Sequence, residues 1–238
     1  MFNYSKGDFS NKGDDLLTAL LLKRKRIIHK AENKLGIFQK IVEDRLAQNG
    51  SLKYTLVYVP EGNFPDTYEA DTFEKRDIIL DDPESEHLID VYTQVIRDAG
   101  ATVTVKQFTS QSGDREETLK AFASGRLDVL TSMKCLDEGV DVPRSELAIF
   151  CSSTGNPRQF IQRRGRILRT HPDKHEAVIH DLIVIPEVNE ASDSYRMEQK
   201  LVENELKRVR NFALLSENVN DTIQELDYTL GYYNLSLF

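Results

Sequence analysis

Short apolar runs alternate with helix-patterned segments along this chain, and that alternation leaves few architectures open. Lys53-Tyr54-Thr55-Leu56-Val57-Tyr58-Val59 is rich in β-branched and aromatic residues and stops at Pro60, which reads as a first core strand. Residues 84–99 then place Leu88, Val91, Val95 and Ile96 at helical spacing and end at Gly100, where a C-terminal glycine stop belongs. Thr102–Val105 reads as a second strand. Asp114 opens the next helix with Glu117 three residues on, the capping-box arrangement, with Leu119 and Phe122 on its buried side and Gly125 at its end. Further strands are expected at Leu127–Leu130, Leu147–Cys151 and Ala177–Ile185, with a helix from Pro157 between the last two, proline being tolerated in a first turn. Repeated strand–helix alternation implies an α/β domain: a parallel sheet with right-handed crossovers and helices on both faces. Ligands of such sheets bind at the carboxyl ends of the strands.

The flanks are helical. Residues 1–13 read as a flexible start, and from Asp14 to Ala47 the residues Leu17, Leu21, Ile28, Ala31, Leu35, Phe38 and Val42 form one stripe of a long helix whose other face is basic. That stripe predicts packing on the domain or a neighbour; contact with nucleic acid through Lys23, Arg24 or Arg26 is the alternative. The acidic, proline-containing stretch from Glu61 to Pro83 reads as a long surface loop or insertion. From Asn189 onward the pattern is helical again, with Val202, Leu206, Val209 and Ala213 on one stripe and a second short helix near Asn220–Leu230. The expected division is therefore a start and long helix over 1–50, the α/β domain over 51–186, and a helical extension over 187–238.

Composition narrows the function classes. A net charge of -8 argues against binding nucleic acid over the whole surface by counterion release, while leaving room for one local track. No apolar run approaches the length needed to cross a bilayer, and no secretory signal is visible at the N-terminus. Cys135 and Cys151 lack CxxC spacing and read as reduced packing thiols, so a cytoplasmic site is expected, or a nuclear one in a eukaryote. His171 and His175 stand four apart, but Pro172 and Asp173 between them indicate a turn, and no metal site is expected.

Two motifs carry chemistry. Gln162-Arg163-Arg164-Gly165-Arg166-Ile167-Leu168-Arg169 places four arginines in eight residues around a glycine, which suits a phosphate that must meet several rigid, permanently charged guanidinium forks. It follows Leu136-Asp137-Glu138-Gly139-Val140-Asp141-Val142-Pro143. The first run resembles motif VI (Q-x-x-G-R-x-x-R) of the superfamily 2 helicases and translocases, and the second resembles their motif V, in the family's order. Within that superfamily, NPRQFIQRRGRILR and Lys174–Asp181 are most similar to the branch of restriction-enzyme motors and transcription-repair helicases.

The resemblance implies the second RecA-like domain of an ATP-dependent DNA motor. By its pattern, Arg166 and Arg169 match arginine fingers, and Gln162 matches the glutamine that contacts nucleotide or attacking water. Gly139 allows close backbone approach, and Asp141 accepts from a ribose hydroxyl or orients a motif VI arginine. Thr109, Ser110, Ser132 and Lys134 occupy the loops that would track nucleic acid, with Ser132 taking the hydroxyl role because Met133 stands where the commonest helicase pattern has threonine. Both finger arginines are expected to reach across an open cleft instead of packing in the core.

No glycine in the chain is followed by lysine, so a G-x-x-x-x-G-K-[ST] phosphate loop is missing. ATP and Mg2+ are therefore expected to be held mainly by an N-terminal RecA-like domain of the same or another chain, with DNA as the track and RNA left open. The rival reading, from a different class, is a non-catalytic protein- or nucleic-acid-binding module that retains the fold. Oligomeric state is not legible.

Overall fold

A computed structural model describes residues 28, 31, 33–60, 63–64, 86–109, 112–133, 142, 144–152, 157–187 and 194–238. Along these the elements run α1 (Asn33–Asn49), β1 (Thr55–Tyr58), β2 (Asn63–Phe64), β3 (Glu86–His87), α2 (Leu88–Ala99), β4 (Val105–Gln107), α3 (Arg115–Ala123), β5 (Val129–Ser132), β6 (Leu147–Phe150), α4 (Pro157–Ile167), β7 (Val178–Asp181), α5 (Tyr195–Ala213) and α6 (Val219–Tyr233). The main sheet has the order β4-β5-β1-β6-β7, and each neighbouring pair is parallel. This is the α/β parallel arrangement expected from the strand–helix alternation.

Side-chain alternation along the strands assigns the two faces. Val57, Val129, Leu147 and Ile149 pack with Phe38 and Val42 of α1 and with Leu88, Ile89, Tyr92 and Ile96 of α2. Leu56, Tyr58, Leu130, Ala148 and Phe150 pack with Phe122 of α3 and Ile167 of α4 on the opposite face. Every residue of β1, β5 and β6 is buried, and full burial of each large apolar side chain contributes about 1.5–3 kcal/mol. A third cluster, Val202, Leu206, Ala213, Leu226, Leu230 and Tyr233, joins α5 to α6 and includes Ile183 and Ile185 after β7.

Several boundaries differ from the expected ones for identifiable reasons. The second strand is Val105–Gln107 instead of Thr102–Val105, because the Asp128 carboxylate takes both the Thr104 amide and its hydroxyl at 2.8 Å and holds that residue outside the ladder. The next strand starts at Val129, two residues late, since the Leu127 amide donates to Ala121 O. Asp114 caps α3 by accepting the Glu117 amide at 3.2 Å, but Glu117 pairs with Arg126 at 3.0 Å and leaves the capping box half built. Gly125 ends α3 at φ +70°, and a Cβ there would lie 2.7 Å from Tyr54 Oη. The antiparallel pair β2–β3 was not anticipated. Of the expected long N-terminal helix, residues 14–27 lie outside the described residues.

A buried ionic group fastens both flanking helices to the sheet edge. Arg208 of α5 donates Nε to Asp181 Oδ2 at 2.6 Å and Nη2 to Glu205 Oε2 at 2.9 Å, with Arg208 6 % and Glu205 7 % exposed. Lys34 of α1 donates Nζ to Cys151 O at 3.1 Å. Burial lowers the Lys34 pKa to about 8, against the opposing pull of Glu205, Cys151 and Asp181 and with a further lowering from Arg208.

Removing Arg208 strands two carboxylates in this site. Arg208→Ala is expected to cost about 3–5 kcal/mol, a fall on the order of 10 °C in melting midpoint. A thermal melt within 2 °C of the parent, a margin set by roughly half a kcal/mol in a domain of this size, would show the group to be solvated.

Lys34 yields a pH signature. Its folded pKa lies below its ordinary 10.5, so between about pH 8 and 10 the unfolded chain binds the extra proton and stability rises with pH. Relative to Lys34→Met, the parent should gain up to about 1.4 kcal/mol per pH unit over that window. The Cys151 thiol, pushed up by burial, works in the opposite direction but is present in both proteins. Denaturant midpoints at pH 7.5 and 9.5 measure the difference; equal differences at both would refute the assignment.

Candidate active site

Parallel strands all deliver their carboxyl ends to one rim of the sheet, and α4 sits there. Its first residue is Pro157, whose missing amide costs nothing at that position. Among the side chains described on α4, three arginines have distinct surroundings. Arg163 is 3 % exposed. Its guanidinium lies 4.7 Å from the Tyr58 ring centroid and donates to Ser152 Oγ and to Met133 O, each at 3.4 Å. One side chain thus gathers the ends of β1, β5 and β6. Arg164 reaches the other way, to Asn211 O at 2.5 Å in the C-terminal extension. Arg166 is 9 % exposed, whereas Gln162 and Arg169 are exposed.

The far end of the helix is neutralised. Lys174 donates Nζ to the Ile167 carbonyl and, at 3.0 Å, to the Arg169 carbonyl, so a cation satisfies acceptors that a helix C-terminus leaves open and complements its dipole. Burial lowers the Lys174 pKa, opposed by Glu146. The His171–Asp173 stretch forms a turn in which the Asp173 amide donates to His171 Nδ1 at 3.2 Å. Among the described residues no group of three or more His, Cys, Asp or Glu side chains comes together to hold a metal.

The expected site residues therefore separate. Gln162, on α4, and Arg169, two residues past its end, are both exposed and can meet a ligand directly. Arg166 is buried, contrary to the expectation that both finger arginines project into an open cleft. Thr109 follows β4 and Ser132 ends the adjacent strand β5, at the same rim. Thr109 is held in a turn, its amide donating to Ser112 Oγ at 2.9 Å. Ser132 is fully buried, and its Oγ has no hydrogen-bond partner among the described residues. Ser110, Lys134, Gly139 and Asp141 lie outside the described residues. Sequence reasoning missed the anchoring roles of Arg163 and Lys174. The arginine run was visible, but which of its members point inward depends on the sheet that α4 covers.

Comparison with known proteins matches the helicase conserved C-terminal domain family to residues 75–171. The DNA 3'-5' translocase XPB2 of Sulfurisphaera tokodaii is 36% identical over 98 residues, 41% of this chain and 21% of that protein. The DNA 3'-5' helicase XPB of Mycobacterium tuberculosis is 28% identical over 112 residues, 45% of this chain and 20% of that protein. The matched stretch thus spans about a fifth of the length of these two relatives. The Pyrococcus furiosus Hef helicase domain superposes on 74% of this chain and 31% of that one, at 21% identity and a TM-score of 0.41. The parallel α/β sheet and the family match agree: residues 75–171 of this chain match a helicase conserved C-terminal domain.

Proposed function

We propose that the chain is the C-terminal motor domain of an ATP-dependent DNA helicase or double-strand translocase, completing an ATP site that it shares with an N-terminal RecA-like domain. The observation that carries this reading is the anchoring of α4. Arg163 fastens the helix to the carboxyl ends of β1, β5 and β6 while Gln162 on the helix and Arg169 just past its end remain exposed. A γ-phosphoryl group in flight spreads charge over its oxygens, and a donor already fixed in position lowers that barrier without reorganising. Arg169 supplies such a donor from an exposed helix end. Arg166 is buried nearby and would meet a ligand only at the rim. The names of the two XPB relatives favour DNA as the track, in keeping with the repair-helicase branch that the motifs resemble. Nucleic acid would run along the β4 and β5 ends, past Thr109, Ser110, Ser132 and Lys134.

ATP brings the phosphoryl group, and the acids and phosphate loop for its magnesium belong to the partner domain. This chain contributes the arginines, which neutralise developing charge, and Gln162, which orients nucleotide or attacking water. On this reading the isolated chain binds nucleotide weakly and does not turn it over.

Arg169→Ala should lower turnover by about 10³ to 10⁵ in the protein containing both RecA-like domains, and leave the melting midpoint of this chain within 2 °C, a shift of roughly half a kcal/mol. Arg166→Ala should lower both turnover and midpoint, because its guanidinium is buried. Steady-state hydrolysis set against thermal melts of the same variants separates the two behaviours. Near-normal turnover in both variants would remove the mechanism from motif VI and return the binding-module reading.

A further inference from the structure

Two consecutive side chains of α4 hold opposite ends of one aromatic ladder. At one end the Arg163 guanidinium lies 4.7 Å from the Tyr58 centroid. Tyr58 of β1 stacks on Phe150 of β6 at 4.8 Å and 26°, and Phe150 leans on Phe212 at 5.7 Å and 32°. At the other end Arg164 stands 5.9 Å from the Phe212 centroid and donates Nη1 to the neighbouring Asn211 carbonyl. Offset ring stacks and guanidinium–ring contacts of these dimensions are attractive beyond the area they bury. Phe212 belongs to the last turn of α5, outside the residues matched by the helicase family. One turn earlier on the same helix, Arg208 is tied to Asp181 of β7. The extension is therefore fixed to the sheet at one turn and touches α4 at the next.

Consecutive helix residues point about 100° apart. A helix anchored through Arg163 alone keeps the freedom to roll about its axis, whereas anchors on two directions remove it. Gly165 adds no restraint, since a Cβ there would meet nothing within 4 Å. The geometry points to Phe212 as a positioning residue for α4: by closing the ladder it fixes the roll of the helix, and so the direction in which Gln162 leaves it and the point from which the following turn carries Arg169. The C-terminal extension is on this account part of the catalytic apparatus. The inference rests on the reading of α4 as the helix that carries the finger.

Hydrogen exchange on this chain tests the positioning directly. In Phe212→Ala and in Arg164→Ala, backbone amides of residues 163–168 should exchange about tenfold faster, as expected for losing one ring or cation contact. Phe212→Tyr should restore parental protection. The double variant should exchange more slowly than the product of the two single effects, since the Arg164–Phe212 contact is lost in both. Faster exchange confined to residues 195–238 would show that Phe212 merely docks the tail, and the inference would fall. In the protein with both RecA-like domains, Phe212→Ala should lower kcat about tenfold with KM for ATP unchanged, a split that loss of folded protein does not produce. Arg169→Ala runs beside it. Parental turnover in Arg169→Ala overturns the finger reading itself, while loss there with parental turnover in Phe212→Ala overturns only the positioning role. If Phe212→Ala fails to fold, Arg164→Ala carries the same comparison alone.

Discussion

A parallel sheet covered on both faces leaves its surfaces no room for chemistry. In β1, β5 and β6 every side chain is buried, and the backbone groups are consumed by ladders to neighbours on either side. Polar function can emerge only where the strands stop. The rim is also where a helix packed on the sheet meets the least apolar partner, so holding α4 there takes specific bonds in place of bulk packing. Arg163 provides them by combining a ring face with acceptors from two different strand ends, a combination open to a planar guanidinium and closed to an ammonium.

The two buried cations of the flanking helices show the same distinction. Arg208 meets two carboxylates through separate nitrogens, so its charge is matched by fixed geometry on two sides. Lys34 finds a main-chain carbonyl and carboxylates that act on it only at a distance, and burial dominates its titration. One helix is clamped; the other carries a cost that alkaline pH relieves. Both helices nevertheless gain their main hold from apolar residues, Phe38 and Val42 on one and Val202 and Leu206 on the other.

What could be read from the sequence were periodic and local features. Alternation of strand and helix patterns is a property of neighbouring residues, and it led to the parallel sheet; Gly125 and Asp114 announced the ends of α3 because their effects stay within one turn. The strand start at Thr102 was misplaced by three residues because Asp128, just before the neighbouring strand, takes the Thr104 amide, and the one at Leu127 by two because that amide donates to Ala121 O, contacts invisible in either segment alone. The same holds for the site. Four arginines in eight residues signalled phosphate chemistry, but which of them is buried depends on the rest of the fold: Arg163 is buried where Tyr58, Met133 and Ser152 converge. The sequence pattern did not single out Lys34, which the position of Cys151 and of the α5 charges makes a buried cation.

The short β2–β3 pair has a consequence for how this fold can vary. Asn63 stands opposite His87 and Phe64 opposite Glu86, so Phe64 and Glu86 close a neck in the chain. For a loop closed at such a neck, the added cost is closure entropy, which grows with the logarithm of length. Doubling it costs about 0.6 kcal/mol, less than a typical core substitution. Sequence can therefore be lengthened, shortened or exchanged between these two strands while the register of the main sheet and the seat of α4 stay as they are. The neck is a port at which the domain can acquire a new surface at almost no thermodynamic expense.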